Sequence, residues 1–494
     1  MIPVSRDSIP FASAIAARHV RRRFEVDTRA LASLRIALGG IVLFDLLNRA
    51  GSFDLFYTAA GVYPRSAHVA THGSSGTVSV YALSDAVAFQ AALFALAVTF
   101  AVAFTLGYRT RLAGSVSLLC LVSLHVRYPA VLNGGDRLLR VLLFVALLTP
   151  LGERWSIDAL QRGRPARRTA ASVGTAALLC QPVVVFTTNA VEKHRGEYWY
   201  AGDGLELALS DPTMTTALGT QLLEYPSLLT ALNYAWVALL AGSIPLLLFA
   251  VGRLRALAAF VYLGTFAGMA ATFSVGLFPL ALAASVLPFL TSPFWNRLEW
   301  LSRIDRLSGF TSPLVSLAPS IGHRRSRSGL SGDRSLTTLL ATAVLAWMLA
   351  FSGIDAAGLE PPEPLHSEHL DQQDWGLYAP DPSESYSWHV VVAERADGST
   401  FDPLDDGAVS FDRPPNADAA YETFRHRRFL TAVDRSTRNA GELADRYAEW
   451  SCRRAVAVDD ATRRVVVYRL HRLKPTDGGD EETRRVTVVE RNCR

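Results

Sequence analysis

Long apolar runs constrain this chain more than any other feature. They recur between residues 30 and 290 and then stop, apart from one run near 340. A membrane-crossing helix takes roughly 20 mostly apolar residues. Nine segments approach that pattern, at 30–48, 86–107, 112–130, 136–151, 171–192, 228–250, 254–273, 275–290 and 336–353. Half of the 494 residues are hydrophobic and only 19% are charged, below the roughly 25% of an ordinary soluble protein. This balance excludes a disordered chain and argues against a soluble enzyme. The expected fold is an all-α polytopic membrane bundle of about eight helices plus a ninth span, followed by a small C-terminal α+β domain.

Charge placement predicts the orientation. With a cytoplasmic N-terminus, the inner segments 1–29, 107–112, 152–170, 251–256 and 297–334 hold 22 Lys and Arg residues, against 4 in the outer loops. Excess positive charge marks the cytoplasmic side. An odd number of spans then leaves the C-terminal domain outside the cytoplasm, in a multi-pass protein of the cell membrane. The predicted organisation is a basic N-terminus at 1–29, a membrane domain at 30–300 and an Arg/Ser-rich cytoplasmic linker at 301–335. The ninth helix follows at 336–355 and the extracytoplasmic domain at 356–494. No cleavable signal peptide is evident, since the first apolar run follows a cluster of arginines. The arginines sit in loops beside apolar runs, so nucleic acid is not an expected partner; the lipid bilayer is.

In the tail, 388–392, 464–470 and 486–489 read as strands, and 417–432 and 439–450 as helices. Cys452 and Cys493 both fall in this domain, where an oxidising compartment lets a disulfide persist. A bridge and two free thiols both remain open. Cys120 and Cys180 lie within spans and read as small apolar residues. No Cys/His spacing indicates a metal site.

Ionisable residues inside spans are expensive and commonly functional. Here they gather at the outer ends of four spans. Asp45 and Arg49 close the first, and His125 and Arg127 the third. Asn133, Asp136, Arg137 and Arg140 open the fourth, and Lys193 lies at the end of the fifth. The inner half holds little beyond Arg35. A polar chamber opening outward is the natural expectation. Each residue also has a plainer reading. Asp136 and Arg140 are spaced to pair along one helix face, Arg127 and Lys193 to snorkel to headgroups, and His125 to pack. Trp199, in Tyr198-Trp199-Tyr200, suits an interfacial belt as well as a substrate wall. Lys193 is one of only two lysines among 49 basic residues, the other being Lys474. An amine held neutral by desolvation is a usable base or nucleophile.

Several blocks together resemble a known family. Asn133-Gly134-Gly135-Asp136, Leu148-Thr149-Pro150-Leu151-Gly152 and Trp155-Ser156-Ile157-Asp158 resemble the horizontally transferred transmembrane (HTTM) family, which is related to vitamin K-dependent γ-carboxylase. Lys193-x-x-Gly196-x-x-Trp199-x-x-Gly202 is similar to its lysine–tryptophan signature. Phe273 to Pro279 and Pro293-Phe294-Trp295 are similar to its closing helices. Gln373-Asp374-Trp375-Gly376-Leu377-Tyr378-Ala379-Pro380-x-Pro382 resembles the opening of the outer domain in microbial members.

The resemblance implies a lysine base that deprotonates a reduced menaquinone or vitamin K-like quinol, with oxygen and carbon dioxide as co-substrates and no metal. Lys193 takes the base role. The resemblance gives His125, Arg127, Asn133 and Asp136, which match a family block, and Trp199 of the lysine–tryptophan signature substrate or cofactor binding; Asp45 and Arg140 of the expected polar chamber are assigned the same role. The expected activity is carboxylase- or epoxidase-like chemistry at the outer membrane face, coupled to modification of a carboxylate or a secreted protein. The tail is much shorter than the carboxylase's lumenal portion, so dedicated propeptide recognition is not expected. Two alternatives stand beside this reading: a lipid-modifying enzyme acting on secreted proteins, and a non-enzymatic accessory membrane protein.

Overall fold

The computed structural model describes residues 21–72, 79–302, 331–356, 378–405, 407–436, 442–474 and 483–493. The N-terminal 1–20, most of the predicted linker and residues 373–377 of the tail-opening motif lie outside the described residues.

Each predicted span is helical over most of its length. The helices are α1 (Thr28–Gly51), α2 (Val87–Leu106), α3 (Thr110–Arg127), α4 (Gly134–Leu147), α5 (Val173–His194), α6 (Pro226–Ala241), α7 (Gly252–Thr272), α8 (Phe278–Val286) and α9 (Ser331–Ala356). Four of them, α1, α2, α5 and α7, are long and apolar enough to cross a membrane. A fifth crossing is added if Phe278–Phe289 and Ser292–Glu299, bent by 96°, form one span. The predicted run 228–250 is not one helix. It changes after Ala241 into a π-helical turn at Ile244–Phe249 that contains Pro245, because proline cannot donate the i→i−4 hydrogen bond.

Burial separates core helices from outer ones. In α5, 72% of the apolar window is buried, against 28% in α2 and 33% in α7. Leu96, Val102 and Leu106 of α2 and Leu254, Leu257 and Phe260 of α7 remain exposed. Apolar faces of that extent belong against acyl chains rather than water. The chain is a multi-pass membrane protein.

Local chemistry fixes the helix that carries the Asn-Gly-Gly-Asp turn. The Asn133 side chain accepts from Gly135 N at 2.9 Å and Asp136 N at 3.2 Å, and Asp136 accepts from Asn133 N at 2.8 Å. This is a capping box, which satisfies N–H groups that α4 would otherwise leave unpaired. At Gly135 a Cβ would lie 2.4 Å from the Phe278 backbone nitrogen, so glycine lets α4 and α8 touch. Arg35 is fully buried and donates to the carbonyls of Leu151 at 3.1 Å and Arg154 at 3.0 Å, and to that of Trp155. It clamps the loop after α4 onto α1.

The tail forms a four-stranded antiparallel sheet of β1 (Ser385–Arg395), β2 (Thr400–Phe401), β3 (Thr462–Leu473) and β4 (Arg484–Asn492), in the order β2-β1-β3-β4. The predicted helix at 417–432 divides into a turn at Ala417–Ala420 and α10 (Phe424–Ser436), because Tyr421 adopts an extended backbone. The second helix, α11, spans Glu442–Val458. Cys452 of α11 is bonded to Cys493 beyond β4, which staples the chain's end to the helix. α11 packs on the sheet, and α10 packs against α11 and against the turn Pro129–Val131 before α4.

Candidate functional site

The predicted outer chamber divides into two separate places. The first is a closed knot of charge. Asp45 and Arg49 stand one turn apart on α1, and Arg49 Nε reaches Asp45 Oδ2 at 2.9 Å. Arg49 also donates to Asp136 Oδ1 at 3.0 Å and to the Tyr57 hydroxyl at 3.0 Å, and lies 3.2 Å from His125 Nε2. A residue of the tail completes the set: Arg425 of α10 donates to Asp136 Oδ1 at 2.9 Å, to Asp45, and to the Val131 carbonyl at 2.9 Å. Two carboxylates therefore face two guanidiniums, all buried.

Asp45, His125 and Asp136 offer ligand atoms within 4.8 Å of one another. The set does not suit a metal cation, because Arg49 and Arg425 already hold both carboxylates and would repel it. The knot's carboxylates pair with Arg49 and Arg425, and through Arg425 the knot joins tail to bundle. Arg425 went unnoticed in the sequence because Arg425-His426-Arg427-Arg428 reads as a solvated charge run. Only tertiary structure turns Arg425 and His426 inward.

The second place is an apolar cavity of about 370 Å³. Its walls come from α5, α6, α7 and α8, with Phe186, Trp236, Leu239, Met269, Phe273 and Leu282 among them. Lys193 is the single charged side chain among its described lining residues. Lys193 Nζ donates to the Tyr378 carbonyl at 2.9 Å and lies 3.4 Å from the centre of the Trp199 ring. Trp199 Nε1 donates to the same carbonyl at 2.9 Å. One backbone oxygen of the tail thus gathers both members of the lysine–tryptophan block.

The segment bearing that oxygen is fastened beside α5. Asp381 accepts from the backbone nitrogens of Glu197 at 2.8 Å and Tyr198 at 3.0 Å, and Tyr198 donates to Glu384 at 2.8 Å. At Gly196 a Cβ would meet Asp381 Oδ1 and the Pro380 carbonyl, each at 2.5 Å. The glycine of the signature is therefore where the tail strap docks.

The other predicted residues lie elsewhere. Arg127 pairs with Asp85 at 3.1 Å, donates to the Tyr63 carbonyl at 3.2 Å and stacks over Tyr128 at 4.5 Å. Asn133 caps α4 and donates to the Val275 carbonyl at 2.8 Å. Arg140 is half-buried one turn below Asp136, whose carboxylate goes to Arg49 and Arg425 instead. Arg425 is not singled out by the sequence reading, and Tyr378 enters it only as part of the tail-opening block, because what it contributes is a backbone carbonyl, a group every residue has.

The order of elements, the capped α4 turn and the Lys193–Trp199 corner can now be set beside known families. The HTTM domain model matches residues 24–295. This chain belongs to the HTTM family. The matched residues include the apolar cavity's walls except Tyr378 and the knot except Arg425, and they end before α9 and the tail. No curated protein and no solved structure matches the chain.

Proposed function

We propose that this HTTM protein is a membrane enzyme that holds a lipid-soluble substrate in the apolar cavity and uses Lys193 as its base. The observation that carries this reading is the position of Lys193 as the one charged side chain among the described residues lining that cavity. A charged group in an apolar, water-poor site is the arrangement that tunes an amine for proton transfer. The walls suit a quinol: Phe186, Trp236 and Phe273 offer flat apolar surface, and Lys193 and Tyr378 offer polar atoms at one end. A reduced naphthoquinol bound there would supply, with oxygen, the strong base that carboxylation needs.

The chain's own part is narrower. Lys193 Nζ, in its neutral form, accepts a substrate hydroxyl proton through its lone pair while an N–H still donates to the Tyr378 carbonyl. Trp199 keeps the amine at the cavity's end, and the docked strap excludes water. We further place the N-terminus in the cytoplasm and the tail outside the cell membrane. The arginine asymmetry supports this, as does the Cys452–Cys493 bond, a linkage that persists in oxidising compartments. A second reading, a lipid-modifying enzyme acting on secreted proteins, is favoured by a polar, arginine-lined cavity that adjoins the apolar one.

Mass spectrometry of lipids retained by the purified wild type and by Lys193→Ala tests the proposal. A stoichiometric quinone in wild type, reduced or lost in the variant, supports quinol chemistry. A phospholipid in its place, lost in the variant, supports lipid modification. Only bulk lipid in both, with unaltered cellular function of the variant, rejects the enzyme reading and leaves an accessory protein.

A further inference from the structure

A cavity of about 620 Å³ lies against the apolar one, and the two share Val275, Phe278 and Tyr378 as walls. Three arginines line the second cavity: Arg137 from α4, and Arg427 and Arg428 from α10. Arg427 donates to the carbonyls of Thr213 at 2.8 Å and Ser274 at 3.1 Å, and Arg428 donates to that of Leu132 at 3.0 Å. These bonds aim the guanidiniums without bringing a formal negative charge. Among the described residues, neither Arg427 nor Arg428 has a carboxylate partner.

Two acids share the wall, one bonded to neutral groups and one to a cation. Asp211 accepts from Thr213 N at 2.9 Å and Thr213 Oγ1 at 2.6 Å. Asp434 meets His389 at 3.0 Å and Arg469 at 3.6 Å. Burial, together with Arg435, Arg427 and Arg137, pushes the Arg428 guanidinium down to about 10. With three guanidiniums against two carboxylates the lining is net positive, and crowding of like charges is relieved when an anion joins them. The cavity also abuts the start of α4 at Asn133 and Gly134, and a helix N-terminus favours negative charge.

We propose that the paired cavities hold one amphiphile, with its acyl or isoprenoid chain in the apolar cavity and an anionic headgroup, phosphate or carboxylate, against Arg137, Arg427 and Arg428. The headgroup linkage passes Tyr378. This rests on the reading that the apolar cavity takes a lipid, and its charged head fits the lipid-modifying form of that reading rather than a neutral quinol. It also assigns Arg427 and Arg428 a ligand, whereas their neighbour Arg425 serves the charge knot.

The test uses the full chain in neutral detergent and measures binding of three probes: dioleoyl phosphatidic acid, dioleoylglycerol and inorganic phosphate. Phosphatidic acid is expected to bind about tenfold or more tightly than dioleoylglycerol. Arg137→Gln, and separately Arg427→Gln with Arg428→Gln, should remove that advantage while leaving dioleoylglycerol binding unchanged. Arg137→Lys should keep most of it. Arg137 is half-buried and belongs to α4, so its variant stands even if the α10 pair disturbs tail docking. Equal binding of the two lipids, or an advantage insensitive to both variants, overturns the proposal while leaving the lipid reading of the apolar cavity intact. Arginine-dependent binding of inorganic phosphate as tight as that of phosphatidic acid, with no dioleoylglycerol binding, overturns both and assigns the basic cavity to a free anion.

Discussion

At the scale of single residues, the charge knot predicts sharp mutational effects. Removing one partner of a buried ion pair leaves the other uncompensated and typically costs about 3–5 kcal/mol. Arg425→Leu is expected to lose that much, because Asp45 and Asp136 would then share Arg49 alone. Asp45→Asn combined with Arg425→Leu should recover part of the loss. Chemical denaturation of the three variants checks this, and a strictly additive double mutant rejects the pairing.

His426, beside Arg425, predicts a pH effect. Burial, aided by His389, holds its imidazole down at about 4, from an ordinary 6.5. The folded protein keeps this ring neutral where the unfolded chain takes up a proton. Stability is therefore full above pH 6.5 and falls as pH drops through that value toward 4. One such group accounts for about 3 kcal/mol across the window. His426→Gln should flatten that part of the Tm–pH curve; an unchanged slope counts against the assignment.

At the scale of elements, the strap around Tyr378–Glu384 is the part most sensitive to a small change. Gly196→Ala places a methyl group against Asp381 and Pro380. The strap should then lift from α5, taking the Tyr378 carbonyl from Lys193 and Trp199. Hydrogen exchange over 378–384 is expected to speed up roughly tenfold or more, with α1 and α2 unaffected; equal protection in both proteins rejects the docking role.

The elements also mark how far sequence reading reached. The helices were legible because apolar run length is written locally, and Lys193 because it persists among arginines. The capped α4 turn was legible as Asn133-Gly134-Gly135-Asp136. The separation of Asp45, His125 and Asp136 from Lys193 was not. All lie at similar ends of neighbouring helices, and only helix rotation and packing decide which face meets which cavity. Arg425 was hidden for a different reason: a basic run on an amphipathic helix has the same pattern whether its residues face water or buried carboxylates.

At the scale of the whole molecule, the disulfide and the membrane orientation give two expectations. Cys452 and Cys493 are 41 residues apart in sequence, and a bridge closing a loop of that size is worth about 2–4 kcal/mol. Cys452→Ser with Cys493→Ser should lower tail stability by that amount, read from thermal unfolding without reductant. Unchanged stability speaks against a structural bridge. For orientation, Arg164→Cys and Ser399→Cys place single exposed thiols on the predicted inner and outer sides. An impermeant maleimide applied to intact cells should label position 399 and spare 164; the reverse pattern inverts the proposed topology.

The contact between Arg425 and the bundle has a consequence for how the chain is made. Residues 45, 49 and 136 leave the ribosome long before residue 425. Until α10 arrives, the interior of the helical domain carries two acids and one guanidinium, an electrically unfinished core. A later-made part of the polypeptide therefore completes the interior of an earlier one. Truncations within the tail should be felt inside the membrane domain, at a distance from the missing sequence that no domain boundary would suggest.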